Sequence, residues 1–332
     1  MTASFQALRV HAPGDQRIET LTLDQLTPAT VTIEVHYSSI NYKDALAVTG
    51  RGKILKRFPL SPGIDAAGKV LSSEDPRFHI GQEVIVTGCG IGETEDGGYS
   101  QRLKVNPDYL IPKPQGLSLR EAMILGTAGF TAALALKRML HNGQRPDQGP
   151  ILVTGASGGV GSFAVELFAR SGFTVHALSG KKDAAPALKA LGASEVLSPE
   201  DLQLGARPLE SVKFGGAVDN VGGELLAKVL AHTQLWGNVA SIGLAASHEL
   251  HTTVMPFILR GVSLLGTSSN NTPWDLRQEI WRELSGSWKP KNLEATVNRT
   301  VTLNELSKAC EDLMDRRVRG RMLVQLFEGG QP

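Results

Sequence analysis

The first third of the chain is built from short apolar or β-branched runs. Ala7–Val10, Val31–Tyr37, Gly68–Leu71 and Glu83–Thr87 each predict a strand, and Pro and Gly clusters separate them. This pattern predicts a compact antiparallel domain with irregular loops. The character changes near Leu119. Arg120–Met139 has helix-forming composition, interrupted at Gly126–Gly129. After the loop Asn142–Pro150 a regular alternation begins. Ile151–Thr154, Thr174–Leu178, Glu195–Leu197, Ala217–Asp219, Asn238–Ile242 and Val262–Gly266 predict strands, with helical segments such as Ala184–Leu191 and Glu224–Ala231 between most of them. Strands alternating with helices imply α/β architecture with a doubly wound parallel sheet, and six strands make a full Rossmann dinucleotide-binding fold. After Pro273 the chain turns helical (Trp274–Leu284, Leu303–Asp315) and ends in a strand, Arg321–Phe327. That tail is too short for a core of its own. It is expected to pack back on the first domain, so that residues 127–267 form an inserted nucleotide-binding domain and residues 1–126 with 268–332 form the enclosing one.

One segment within the alternation carries chemistry. Ile151-Leu-Val-Thr-Gly155-Ala156-Ser157-Gly158-Gly159-Val160-Gly161-Ser162 is an apolar strand feeding a glycine-rich turn, then a helix that Gly172 closes as a C′ residue. Gly158 would let the backbone approach a pyrophosphate, and Gly161 would let helix and strand pack closely. The free N–H groups of the first helical turn would face the phosphates. The strand–turn–helix–strand context raises this above a bare motif match. Two other readings compete. Gly155-Ala-Ser157-Gly-Gly159 fits a hydrolase nucleophile elbow, with Asp219 and His232 or His248 as partners. The turn could also bind nothing.

The end of the second strand selects the dinucleotide. An NAD-type site would place an acid there, to hold the ribose 2′-hydroxyl. This chain has Ser179-Gly180-Lys181-Lys182, and no carboxylate before Asp183. A hydroxyl and two lysines suit a 2′-phosphate, so NADP(H) is expected, against the alternative of a merely solvated basic turn.

Composition mostly narrows the partners. A net charge of +1 in 332 residues gives no argument for nucleic acid or an anionic membrane. The apolar run Ala122–Leu136 is too short to span a bilayer, and the N-terminus lacks the pattern of a signal peptide. Cys89 and Cys310 are far apart, which disfavours a disulfide framework and suits a reducing cytoplasm.

Several strings together resemble a family. They are Ser38-Ser-Ile-Asn41-Tyr42-Lys43-Asp44-Ala45, Pro62-Gly63-Ile64-Asp65, Gly97-Gly98-Tyr99-Ser100, Thr127-Ala-Gly129-Phe130-Thr131-Ala132 and the glycine turn. The chain resembles, over nearly its whole length, the zinc-free medium-chain dehydrogenase/reductases, in their acryloyl-CoA reductase/quinone oxidoreductase subgroup. The resemblance implies a GroES-like catalytic domain around the Rossmann domain. Zinc-using relatives carry Gly-His-Glu where this chain has Gly63-Ile64-Asp65. Cys89 and His79 remain as conceivable ligands, but two groups do not make a catalytic zinc site. Cys89 is expected to be a small buried hydrophobe. Without a Lewis acid, the resemblance points to reduction of an activated C=C bond.

By the same resemblance, Tyr42 lies beside the nicotinamide as a cofactor contact and proton donor, unless water supplies the proton, and Asn41 orients it. Further cofactor contacts implied are Ser157, Gly158, Gly159, Val160, Gly161, Ser179, Gly180, Lys181, Asn220, Leu244, Ser268 and Arg321, with Thr127 and Thr131 near the phosphates or nicotinamide. The basic loop Arg51–Arg57 is either a solvated surface loop or, through Lys53, Lys56 and Arg57, a site for coenzyme A phosphates. The run Arg316–Arg321 is equally ambiguous. The leading function is NADPH-dependent reduction of an acryloyl-CoA-like thioester. Quinone reduction and a non-enzymatic NADPH-binding or RNA-binding role are the alternatives. The expected substrate is a small molecule, an enoyl-CoA or quinone, with no nucleic acid or membrane partner. A homodimer paired along Val262–Gly266 is expected by analogy.

Overall fold

The computed structural model describes residues 4–327. The chain divides into two compact units, Met1–Thr127 with Asn270–Pro332, and Ala128–Ser269. The boundaries fall one or two residues later than expected, so Thr127 belongs to the first unit and Ser268 to the second.

In the first unit, β1 (Phe5–Ala12) and β2 (Asp15–Leu21) form a hairpin. The larger sheet contains β3 (Val31–Ile40), β4 (Asp65–Ser73), β5 (Glu83–Thr87), β6 (Arg102–Val105), β7 (Ile111–Pro112) and, from the C-terminal tail, β14 (Val297–Val301) and β15 (Arg321–Gln325). Its order is β14-β15-β3-β4-β5-β7, and β6 pairs with β3. The tail therefore forms one end of the sheet, with β15 between β14 and β3. β15 runs antiparallel to β3, with Met322 opposite Ile40. The sheet is mixed, because β14 and β15 pair in parallel. Val31, Ile33 and Val35 of β3 bury with Val84 and Val86 of β5 and Leu306 of α8 (Leu306–Met314) in one core. A short helix, α1 (Tyr42–Thr49), follows β3 directly.

The helix α2 (Leu119–His141) is longer than the apolar run suggested. By length and composition it could cross a membrane, but 83% of its most apolar stretch is buried in protein, as a core helix is. Its one break is Gly126, with φ 48° and ψ −154°, a backbone geometry only glycine adopts readily. A Cβ there would lie 2.6 Å from Asp65 Oδ2 and 2.8 Å from Arg321 Nη2.

The second unit holds a six-stranded parallel sheet of β8 (Ile151–Val153), β9 (Val175–Leu178), β10 (Glu195–Leu197), β11 (Gly216–Asp219), β12 (Asn238–Ser241) and β13 (Ser263–Gly266). The order β10-β9-β8-β11-β12-β13 is that of a full doubly wound dinucleotide fold. Helices α3 (Gly159–Arg170), α4 (Ala185–Ala190), α5 (Gly223–Ala231) and α6 (Met255–Arg260) make four of the five connections, and a loop joins β10 to β11. α7 (Trp274–Ser285) belongs to the first unit.

Candidate active site

In the second unit the strand end, turn and helix form as the spacing requires. α3 starts at Gly159 on an extended Gly158, with no side-chain cap and no acid in its first turn. Its first N–H groups and positive dipole end are thus left for an anion. Gly172 closes the helix at φ 87°, and its N–H donates to the Ala169 carbonyl at 3.1 Å. A Cβ on Gly161 would lie 2.4 Å from the Gly155 carbonyl oxygen, so glycine there sets the helix-to-turn distance. Gly158 is exposed, and its only close neighbour is that same oxygen, 3.3 Å from a built Cβ.

Two polar links tie neighbouring strand ends to this turn. Ser179 Oγ lies 2.9 Å from Ser157 Oγ and accepts the Lys181 N–H at 3.1 Å, which orders the basic turn after β9. The side chain of Lys182 lies outside the described residues. Asn220, after β11, donates from Nδ2 to the Thr154 carbonyl at 2.8 Å. Its Oδ1 is buried without a hydrogen-bond partner, beside the glycine turn. An orphaned acceptor next to an uncapped, acid-free helix start fits a bound nucleotide that brings its own donors. Leu244 and Ser268 are exposed on the loops after β12 and β13, at the same carboxyl ends of the strands. Thr131 is buried on α2.

The hydrolase reading fails in this geometry. Ser157 is not among the residues with positive φ, as a strained elbow nucleophile would be. Asp219 is held by Thr154 Oγ1 and the Gly222 N–H, both at 2.7 Å. His232 is buried between the Ser211 carbonyl (2.7 Å) and the Gly205 N–H (3.0 Å), and His248 is an exposed loop residue. Neither contacts Ser157.

In the first unit a buried polar cluster forms under Tyr42. The pairing of β15 with β3, and of β3 with β4, brings Arg321, Ser39 and Asp65 together at one end of the sheet. Asp65 is fully buried. Its carboxylate accepts from Ser39 Oγ (2.5 Å), Asn41 Nδ2 (2.8 Å) and both the N–H and hydroxyl of Thr127, the latter at 2.6 Å. Asp44 is also buried. It accepts the Ile64 N–H and the Asn41 N–H at 2.9 Å each, so Asn41 and Asp44 close the first turn of α1. Arg321 donates from Nε to the Ile124 carbonyl (2.9 Å) and from Nη1 to Asn41 Oδ1 (3.0 Å), and Nη2 lies 3.9 Å from Asp65. The Asn41 amide is thereby used on both sides. What remains open is Tyr42, 46% exposed as the first residue of α1.

Burial, and then the neighbouring Asp65 carboxylate, push Asp44 up to about 7 against the hydrogen bonds it accepts. A carboxyl raised on folding binds a proton that the unfolded chain has already lost. Its contribution is therefore a loss of stability as pH rises from about 4 to about 7. Denaturant unfolding between pH 5 and 7 is expected to show that decline, and Asp44→Asn to flatten it. An unchanged slope in Asp44→Asn would show that the decline comes from elsewhere.

Three expectations are modified. Arg321, named as a cofactor contact, is 2% exposed and engaged within the first unit. Arg57, named for coenzyme A, donates to the Thr94 carbonyl at 3.1 Å and to Thr27 Oγ1, and lies 3.9 Å from Asp96. Cys89 is half-buried, with φ 59°. Among the described residues no group of three or more His, Cys, Asp or Glu could hold a metal ion. Asp44 and Asp65 were missed as a hub. The Asn41-x-x-Asp44 spacing, an N-terminal helix signature, was the one local signal.

This geometry has relatives. The alcohol dehydrogenase GroES-like domain model matches residues 27–115, and the zinc-binding dehydrogenase model matches residues 159–286. The acrylyl-CoA reductase AcuI of Ruegeria pomeroyi is 41% identical, over 93% of this chain and 94% of its own length. YhfP of Bacillus subtilis, provisionally named a quinone oxidoreductase, is 47% identical over 98% of this chain and 100% of its own. Its crystal structure with NAD bound superposes with a TM-score of 0.94, covering 98% of this chain and 100% of that one. The Salmonella enterica yhdH oxidoreductase in complex with NADP, 46% identical, gives 0.93 over 97% of this chain and 100% of that one. The chain belongs to the medium-chain dehydrogenase/reductase family and is an oxidoreductase of the AcuI type.

Proposed function

We propose that this protein uses NADP(H) to reduce the C=C bond of an α,β-unsaturated thioester of the acryloyl-CoA kind, without a metal. The observation that carries this reading is the Asp65 cluster. Where zinc-using relatives place a histidine, this chain has the buried Ile64, and Asp65 beside it is saturated by Ser39, Asn41 and Thr127. That leaves hydrogen bonding and helix-end electrostatics to stabilise a developing enolate. Ser157–Gly161, Ser179, Gly180, Lys181 and Asn220 would hold the dinucleotide, with Lys181 near a 2′-phosphate. Bound NADPH would supply a hydride to the β-carbon. The NADP complex of the Salmonella relative supports this choice, while the NAD complex of YhfP marks the alternative.

Tyr42 would donate the proton to the α-carbon. It stands at the positive end of α1, where negative charge on a substrate oxygen is favoured. Asn41 and Arg321 would position it by fixing the start of α1. Tyr42→Phe is expected to lower kcat on acryloyl-CoA by about 10²-fold at unchanged NADPH affinity. Unchanged turnover would assign the proton to water.

Quinone reduction is the second reading, favoured by the name of YhfP. Loss of NADPH absorbance, followed in parallel with acryloyl-CoA, crotonoyl-CoA and a benzoquinone, tests both. Faster turnover of the quinone than of either thioester would overturn the first reading. No turnover of any would favour a non-enzymatic role. We further propose a cytoplasmic homodimer. Both cysteines are free, β13 ends the parallel sheet, and Ile258 and Leu259 of the preceding α6 are exposed. A monomeric mass by light scattering would exclude the dimer.

A further inference from the structure

Two basic runs from distant parts of the chain meet on the first unit. Arg51 Nη1 lies 3.3 Å from Asp315 Oδ1, which joins the loop after α1 to the loop after α8. The first loop runs back along α1, where the Lys56 N–H donates to the Glu93 carbonyl at 2.9 Å and the Glu93 side chain holds Lys43, the neighbour of Tyr42, also at 2.9 Å. Lys53, Lys56 and Arg316 are exposed, and none has an ion pair or side-chain hydrogen bond among the described residues. By contrast Arg317 is within 3.2 Å of Asp315, and Arg57 is tied to Thr94 and Thr27.

Arg316 occupies the position after the α8 cap, at φ 60°. Glycine is the residue that ends helices there without strain, so the arginine holds that position against its backbone preference. Tyr42 and Leu46 are one turn apart on the part-exposed side of α1, and Leu46 packs beside Gly52. The eight residues of α1 span about 12 Å. Lys56 is thus linked through Glu93 to Lys43 beside Tyr42, and Arg316 follows the Asp315 that Arg51 meets just past the other end of α1.

We propose that Lys53, Lys56 and Arg316 form the subsite for the phosphorylated adenosine diphosphate end of the thioester substrate. The pantetheine arm would lie along the Tyr42–Leu46 stripe and the acyl group at Tyr42. This rests on the thioester reading above and adds where the non-reacting end of the substrate is held. Unpaired, exposed cations attract a polyanion at long range and pair with it on arrival.

The test compares acryloyl-CoA, acryloyl-dephospho-CoA and acryloyl-pantetheine in the wild type and in a Lys53→Ala/Lys56→Ala/Arg316→Ala variant. The variant is expected to raise KM for acryloyl-CoA by roughly tenfold or more, with a smaller rise for the dephospho ester and none for acryloyl-pantetheine. In the wild type, KM for acryloyl-CoA is expected to rise with salt more steeply than in the variant. Equal changes for all three esters, or none, with the wild type active on them, overturn the subsite alone. A wild type that reduces the quinone and none of the thioesters overturns the thioester reading and the subsite with it. Unchanged thermal unfolding of the variant confirms that its fold is intact.

Discussion

Arg321→Leu is expected to destabilise the first unit by about 3–5 kcal/mol, the cost of leaving buried charge without its partner. The guanidinium does three things at once. It satisfies the Ile124 carbonyl at 2.9 Å, fixes Asn41 through Oδ1 at 3.0 Å, and stands 3.9 Å from Asp65. Burial pulls its pKa down, and the Asp65 and Asp44 carboxylates oppose that. Without the arginine, two buried carboxyl groups face each other across Asn41, and one must take up a proton or draw in water. Arg321→Lys restores the charge but not the planar fork that reaches two acceptors, so it is expected to fall between wild type and Arg321→Leu. Urea unfolding followed by circular dichroism reads both. A loss below about 1 kcal/mol for Arg321→Leu would show that the carboxylates need no counter-charge.

The second large effect is expected at Gly161, with Gly158 as its control. In Gly161→Ala the new methyl would sit 2.4 Å from the Gly155 carbonyl oxygen and 2.6 Å from Ala156 Cα. Both are backbone atoms of the turn, so α3 must lift away from it. We expect a stability loss of about 1–3 kcal/mol and loss of measurable NADPH binding. Gly158→Ala meets only the Gly155 oxygen, at 3.3 Å, and points the methyl outward. It is expected to keep its unfolding midpoint and lose about tenfold or more in NADPH affinity, because the methyl stands where phosphate would approach. NADPH fluorescence titration beside thermal unfolding separates the two. Equal loss of stability in both variants would mean that Gly158 also serves packing.

The parallel sheet was legible because its central strands β8 and β11 are buried throughout and read as short apolar runs bounded by turns. Strands with polar sequence escaped the same test. β2, Asp-Gln-Arg-Ile-Glu-Thr-Leu, is largely open to solvent, and β14 lies at a sheet edge with two exposed residues, so neither needed an apolar face. The glycine turn could be read locally, since its chemistry lies within a dozen neighbouring positions. The Asp65 hub could not. Asn41 and Asp44 share one helix start, but Arg321 reaches them only because β15 inserts beside β3. A basic run at 316–321 therefore looked uniform in sequence, while the fold buries Arg321, pairs Arg317 and leaves Arg316 in solvent.

The place of β15 also sets an order of assembly during synthesis. Residues 128–269 are contiguous, so all six strands of their parallel sheet are synthesised before β14 and β15. The enclosing unit waits for its last strand, which belongs between β14 and β3 rather than at a free border. Until Arg321 leaves the ribosome, residues 37–40 of β3 lack their β15 partner and Asp65 lacks its cation. Such a chain exposes an unpaired strand end beside an uncompensated acid, the kind of feature that chaperones shelter. The nucleotide-binding unit is thus complete in sequence first, and the unit that carries the Asp65 hub last.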